Sequence, residues 1–127
     1  MRYYDTLLDE QRGPFQVIVD KTWEDIPLGD LFDTSIDPET DKPYYDVEEM
    51  ARQIDRGDLD YFMLRTRVLF DGHELAADYV GGFLYEDARE VLRDGTAEDM
   101  IAGTIEQAKT AAAQLFHKLQ QLDEVLG

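Results

Sequence analysis

The clearest alternation of apolar and polar positions in the chain runs from Tyr61 to Phe70. Phe62, Leu64, Thr66, Val68 and Phe70 fall on one face of a strand, and Arg65 and Arg67 on the other. Asp71-Gly72 follows, a favoured pair for a two-residue reversal because both central residues need positive φ. Residues 61–70 and 75–84 are therefore expected to form a hairpin. A two-residue loop sets Arg65 opposite Asp78, Val68 opposite Leu75 and Leu64 opposite Tyr79, whereas a four-residue loop opposes Arg67 to Asp78. Either register places an arginine across from Asp78, a pairing worth tenths of a kcal/mol at an exposed site. Gly81-Gly82 interrupts the second strand and marks a bulge or the close approach of another backbone. Phe15-Gln16-Val17-Ile18-Val19-Asp20 reads as a further strand with Phe15, Val17 and Val19 on one face.

Other stretches carry a helical period. Asp46 and Glu49 have the form of a capping box, Val47, Met50, Ala51 and Ile54 follow at helical spacing, and Gly57 supplies a left-handed stop. Glu86 to Arg93 reads as a short helix ending at Gly95. Thr96 offers a hydroxyl cap to the last element, with Glu98 and Asp99 in its first turn. Ala97, Ile101, Ile105, Ala108, Ala112, Leu115, Leu119, Leu122 and Leu126 then recur every three or four residues, which makes a helix of about 45 Å. A domain of this length is roughly 36 Å across, so the helix is expected to overhang. Residues 2–12 read as a helical turn or two with Tyr3, Leu7 and Leu8 inward, stopped by Gly13-Pro14. Residues 23–45, broken by Pro27, Gly29, Pro38 and Pro43, read as an ordered irregular loop.

The expected fold is α+β: a small antiparallel sheet of about three strands, including the 61–70/75–84 hairpin, packed by a long C-terminal helix and two short helices. It forms one domain over 1–127, with an acidic loop-helix segment at 20–60. The distal helix stripe of Leu115, Phe116, Leu119, Leu122 and Leu126 has two readings. It packs on the N-terminal segment of its own chain, or it forms a two-fold contact between two chains.

Charge changes this picture most. The chain holds 29 Asp and Glu against 12 Lys and Arg, a formal charge of −17. Such a molecule is repelled by nucleic acid and anionic lipid, so neither is an expected partner; a basic surface is. Residues 20–60 hold 14 of the acids against four cations, a net −10. No apolar run is long enough for a membrane span and no signal peptide is recognisable, so the chain reads as cytoplasmic.

Candidate chemistry is sparse. There is no Cys, and His73 and His117 do not make a metal centre, so neither metal nor cofactor is expected. Asp33, Asp37 and Asp41 lack the spacing, central glycine and terminal glutamate of a calcium loop. Ser35, the only serine, has no base near it in sequence. Trp23, Tyr44 and Tyr45 read as pins for the loop rather than as a ligand pocket. The chain is therefore read as a non-enzyme.

In size, charge and absence of catalytic motifs the chain resembles the small acidic inhibitors of phages and mobile elements, including antirestriction and anti-CRISPR proteins. That resemblance implies a protein that mimics nucleic acid and occupies the basic binding surface of a host defence enzyme. The residues expected to present the charge are Asp37, Glu39, Asp41, Asp46, Glu48, Glu49, Asp55, Asp58 and Asp60. The alternatives are a dimeric adaptor or structural protein using the C-terminal stripe, and a salt-adapted acidic protein. The excess of Asp (18) over Glu (11) and the scarcity of Lys favour the latter.

Overall fold

A computed structural model describes residues 3–126, with side chains as far as Asp123. Its centre is a four-stranded antiparallel sheet of β1 (Asp5–Arg12), β2 (Phe15–Trp23), β5 (Asp60–Phe70) and β6 (His73–Tyr85), in the spatial order β1-β2-β5-β6. Between β2 and β5 the chain makes α1 (Leu28–Leu31), a minimal hairpin of β3 (Ile36–Asp37) and β4 (Lys42–Pro43), and α2 (Val47–Arg56). A 3₁₀ turn (Ala88–Leu92) and the 31-residue α3 (Thr96–Leu126) complete it. The α+β class stands, with one strand more in the main sheet than expected and the small β3-β4 hairpin inside the segment read as an irregular loop.

That strand corrects the reading of residues 2–12 as helical. Arg12 pairs with Phe15, so Gly13 and Pro14 are the two central residues of a tight reversal, Gly13 taking φ +58°. The pair that looks like a helix stop returns the chain as a hairpin and covers the outer edge of β2. A bulge between Thr6 and Leu8 lets both Leu7 and Leu8 pack on the core.

The 61–70 strand and its Asp71-Gly72 turn follow the alternation, with φ of +50° and +78° at the two turn residues. Phe62, Leu64, Thr66 and Val68 are buried, while Phe70 at the strand's end is half exposed. The register needs correction. Next to the turn the two-residue pairing holds (Phe70 with His73, Leu69 with Glu74), but a bulge at Leu75 shifts the rest by one. Thr66 therefore opposes Asp78, Arg65 opposes Tyr79 and Arg67 opposes Ala77, so no arginine faces Asp78. The bulge puts Ala76 and Val80 across from the buried Val68 and Leu64, where a strict count places Leu75 and Tyr79.

The core lies between this face and α3. It joins Phe15, Val17, Val19, Phe62, Leu64 and Val68 to Val91 of the 3₁₀ turn and to Ala97, Met100, Ile101 and Ala108 of α3. The start of α3 is capped by Asp94 rather than by the Thr96 hydroxyl. The Asp94 carboxylate accepts the Thr96 N–H at 2.9 Å and the Tyr85 hydroxyl at 2.6 Å, and the Gly95 carbonyl accepts the Asp99 N–H. Beyond Ala112 the helix leaves the sheet, and every residue from Ala113 to Asp123 is exposed. The overhang is thus at least three turns.

Candidate acidic partner-binding surface

The acidic segment is an insertion between neighbouring strands. It leaves the sheet at Trp23 and returns at Asp60, at the end opposite the Gly13-Pro14 and Asp71-Gly72 turns. Its first residues are tied down by a cluster of hydrogen bonds. The Glu24 carboxylate accepts the N–H groups of Asp25 and Ile26 with one oxygen and that of Gly82 with the other, at 2.8 Å. The Tyr61 hydroxyl donates to the Ile26 carbonyl at 2.7 Å, and Lys21 is ion-paired with Asp60. The glycine pair on β6 makes this docking feasible. Gly82 sits at φ +83°, and a Cβ on Gly81 would stand 2.1 Å from the Glu24 carboxylate oxygen. The expectation of a bulge at Gly81-Gly82 is met, and the approaching group is this carboxylate.

Further along, carboxylates shape the backbone that carries them. Asp33 accepts both the N–H and the hydroxyl of Ser35, and Asp37 accepts the Glu39 N–H. The Asp37 carbonyl takes the Asp41 N–H, and Asp41 adopts φ +59°. Tyr45 packs on Phe32 with ring centroids 5.1 Å apart, a contact within the loop rather than onto the sheet; Trp23 ends β2 opposite Phe62. Asp46 caps α2 through the Glu49 N–H, and Gly57 closes it at φ +84°, as the sequence predicts. The reciprocal half of the capping box is replaced, because Glu49 reaches Arg52 at 2.8 Å and Arg56 at 3.5 Å.

The nine candidate carboxylates therefore divide. Asp60 is paired with Lys21, Asp58 with Arg56 and Glu49 with two arginines, while Asp37 and Asp46 hold backbone N–H groups. Glu39, Asp41, Glu48 and Asp55 are exposed, and among the described residues their side chains have no ion-pair partner. Asp20, counted in the segment's charge, is 2% exposed and accepts two hydrogen bonds from Arg65 on the adjacent strand. Cations are absent from the N-terminal part of the insertion: residues 24–41 hold seven acids (Glu24, Asp25, Asp30, Asp33, Asp37, Glu39, Asp41) and no Lys or Arg. Asp30 and Asp33 belong to this array although counting acids does not single them out. The signal that finds them is the absence of any Lys or Arg between Lys21 and Lys42.

The Ser35 hydroxyl and N–H hold Asp33 below the usual carboxylate range. Arg52 does the same for Glu49, with Arg56 adding to it, and the hydrogen bond from Arg56 to Asp58 raises that guanidinium in turn.

The remaining chemistry is equally spare. Among the described residues no three His, Asp or Glu side chains are grouped to hold a metal ion, and no helix is long and apolar enough to cross a membrane. The Ser35 hydroxyl is engaged by Asp33 in an exposed loop, and His73 and His117 are both exposed.

At the other end of the sheet, Leu115, Phe116, Leu119 and Leu122 are each about half exposed or more, so the stripe does not close onto the chain's own N-terminal segment. Leu115, Phe116 and Leu119 form one wall of an open apolar groove of about 360 Å³, and Pro14, Phe15, Phe70 and Leu75 line the rest. The Leu126 side chain lies outside the described residues.

The fold and this surface define a class: an α+β protein with an acidic insertion between two central strands. Comparisons with protein-family models, curated proteins and solved structures each returned no match, so the functional reading rests on the geometry.

Proposed function

We propose that the protein is an acidic interaction protein that occupies the nucleic-acid-binding surface of a basic partner, in the manner of antirestriction and anti-CRISPR inhibitors, and that it performs no catalysis of its own. The observation that carries this reading is the cation-free run of seven carboxylates over residues 24–41, in a loop whose conformation Glu24, Asp33 and Asp37 hold through backbone hydrogen bonds. Duplex DNA presents about one negative charge per 1.7 Å of axis, and a lysine- and arginine-lined groove binds whatever reproduces that density. A fixed array binds better than a flexible acidic tail, because its ordering entropy is already lost on folding.

The test uses immobilised protein at ~0.05 M salt, a lysate of the native host, and a salt gradient. The captured protein should leave well before ~0.5 M salt, since exposed ion pairing is screened over roughly 10 Å at 0.1 M. A duplex or single-stranded oligonucleotide should displace it, and the variant Glu39→Lys/Glu48→Lys/Asp55→Lys should not capture it. Among the described residues these three carboxylates support no cap or ion pair, so the fold should survive their reversal. Retention unchanged at ~0.5 M salt, or full capture by the triple variant, overturns the reading.

A second reading, a two-fold contact through the C-terminal helix, rests on a different observation, the exposed stripe beside the apolar groove. It is compatible with the first.

A further inference from the structure

The distribution of charge along α3 sets its overhang apart from the rest of the chain. About one residue in four is Asp or Glu, yet the sixteen residues from Gln107 to Leu122 contain none, and their only charged side chains are Lys109 and Lys118. This is the longest acid-free run in the sequence, and it spans the last contact of α3 with the sheet and most of the overhang beyond Ala112. Within α3, apolar residues at 101, 105, 108, 112, 115, 119 and 122 alternate steps of four and three without a break, the spacing of a helix that packs against another helix. The first half of this seam is buried on the chain's own sheet, Ile101 and Ala108 at 0% exposure; in the second half Leu115, Leu119 and Leu122 are each left about half exposed by the described residues.

A basic partner does not suit a carboxylate-free, lysine-bearing face. Two copies at −17 each repel one another over most of their surface, and this acid-free face is where they approach with the least repulsion. Position agrees with charge. The overhang and its groove sit at the Gly13-Pro14 and Asp71-Gly72 end of the sheet, while the insertion with its net −10 leaves from the other end. A contact at the overhang keeps the two acidic insertions as far apart as the fold permits.

We propose that the protein forms a two-fold homodimer in which the α3 overhangs of two copies lie antiparallel. Leu115 of each copy packs near Leu119 of the other, and the end of each helix lies on the other's groove at Phe15 and Phe70. Area selects this arrangement. The helix beyond Ala112 is about 21 Å long and about 10 Å wide, a footprint of roughly 200 Å² against the ~800 Å² per partner of a standard interface. The stripe alone is too small, and antiparallel overlap adds the facing wall of the groove, Pro14, Phe15, Phe70 and Leu75, at both ends. Even so the interface is modest, and dissociation falls in the micromolar range. The dimer presents two outward-facing acidic surfaces, so a bivalent basic target is held more tightly than by one copy.

The test is sedimentation equilibrium of the full chain from ~5 to ~200 μM, at ~0.1 and ~0.5 M salt. The mass should rise from 14.6 kDa towards twice that value, and more readily at high salt, because screening relieves the repulsion between two copies of −17. This salt response is opposite in sign to that of the acidic surface, so failure of one proposal is distinguishable from failure of the other. Leu119→Glu and Phe70→Glu change half-exposed side chains and should each stay monomeric with unaltered far-UV circular dichroism. A wild-type monomer at ~200 μM and ~0.5 M salt assigns the face to another occupant and overturns the proposal. So does a dimer that survives Leu119→Glu, or a mass that climbs beyond two copies. A dimer lost in Leu119→Glu but kept in Phe70→Glu is a stripe-only contact and overturns the groove docking.

Discussion

Replacing Asp20 by alanine should be among the most destabilising single changes to a charged residue in this protein. Asp20 lies on β2, opposite Arg65 of β5, and is 2% exposed. One carboxylate oxygen accepts the Arg65 Nε–H at 3.0 Å and a second Arg65 N–H, with the Arg67 guanidinium 3.7 Å away; the other accepts the Thr6 hydroxyl at 3.2 Å. Arg65 also lies 3.6 Å from the Tyr4 ring centroid, so it is held in place from both sides. Removing the carboxylate leaves two neighbouring guanidinium groups without their shared counter-charge. Breaking a buried pair costs about 3 to 5 kcal/mol. Because the Arg65 and Arg67 side chains are 18% and 28% exposed, solvent screens part of the loss and about 3 kcal/mol is expected. At an m-value of about 1.5 kcal/mol/M the urea midpoint falls by about 2 M. Asp20→Asn, which keeps shape and one acceptor, should lose about half as much. In a double-mutant cycle with Arg65→Ala the losses should be sub-additive by about 1 to 3 kcal/mol. A loss below about 1 kcal/mol, or additive losses, would refute the assignment of Asp20 as the internal counter-ion of the sheet.

Gly81→Ala should act by expelling the Glu24 carboxylate, since the new Cβ would stand 2.1 Å from its oxygen and the Gly82 N–H would lose its charged acceptor, a loss of about 1 to 2 kcal/mol. Glu24→Ala should cost the same, the double variant no more, and amide exchange should quicken across residues 24–45 while β2 and β5 stay protected; additive losses would count against a shared bond. Tyr85→Phe should flatten both ends of the stability-pH profile. The Tyr85 hydroxyl is raised by its hydrogen bond to Asp94, so its contribution is complete below the unfolded value of about 10 and is lost as pH rises through the folded one. Asp94 is lowered by the same hydrogen bond, so its contribution is present above about 4 and is lost as pH falls through the folded value. Thermal melts from pH 2 to 11 check this, and unchanged slopes in the variant would contradict it.

Local rules carry far in this chain and stop at identifiable places. The Asp71-Gly72 turn, the Asp46 cap and the Gly57 stop depend on residues within four positions of one another, and each forms as its sequence indicates. Residues 5–12 mislead because their strand character comes from pairing with β2, and the one clue, Gly13-Pro14, serves equally as a helix stop and a reversal. The bulge at Leu75 has no local signature, because the strict register (Leu75 and Tyr79) and the bulged one (Ala76 and Val80) both set apolar residues across from Val68 and Leu64. Among the acids, sequence counting finds the segment but not the division within it, because the cations that neutralise Asp20 and Asp60 lie 45 and 39 residues away.

By itself the sequence determined the α+β class, the β5–β6 hairpin, the limits of α2, the length of α3 and the net charge, since each follows from short-range period, turn chemistry or composition. The tertiary structure alone decided that residues 5–12 are a strand, which carboxylates are engaged by cations, and that the described residues leave the distal stripe of α3 about half exposed. Those are questions of which surfaces meet, and the meeting partners stand as far apart as Arg12 and Glu98, 86 residues along the chain.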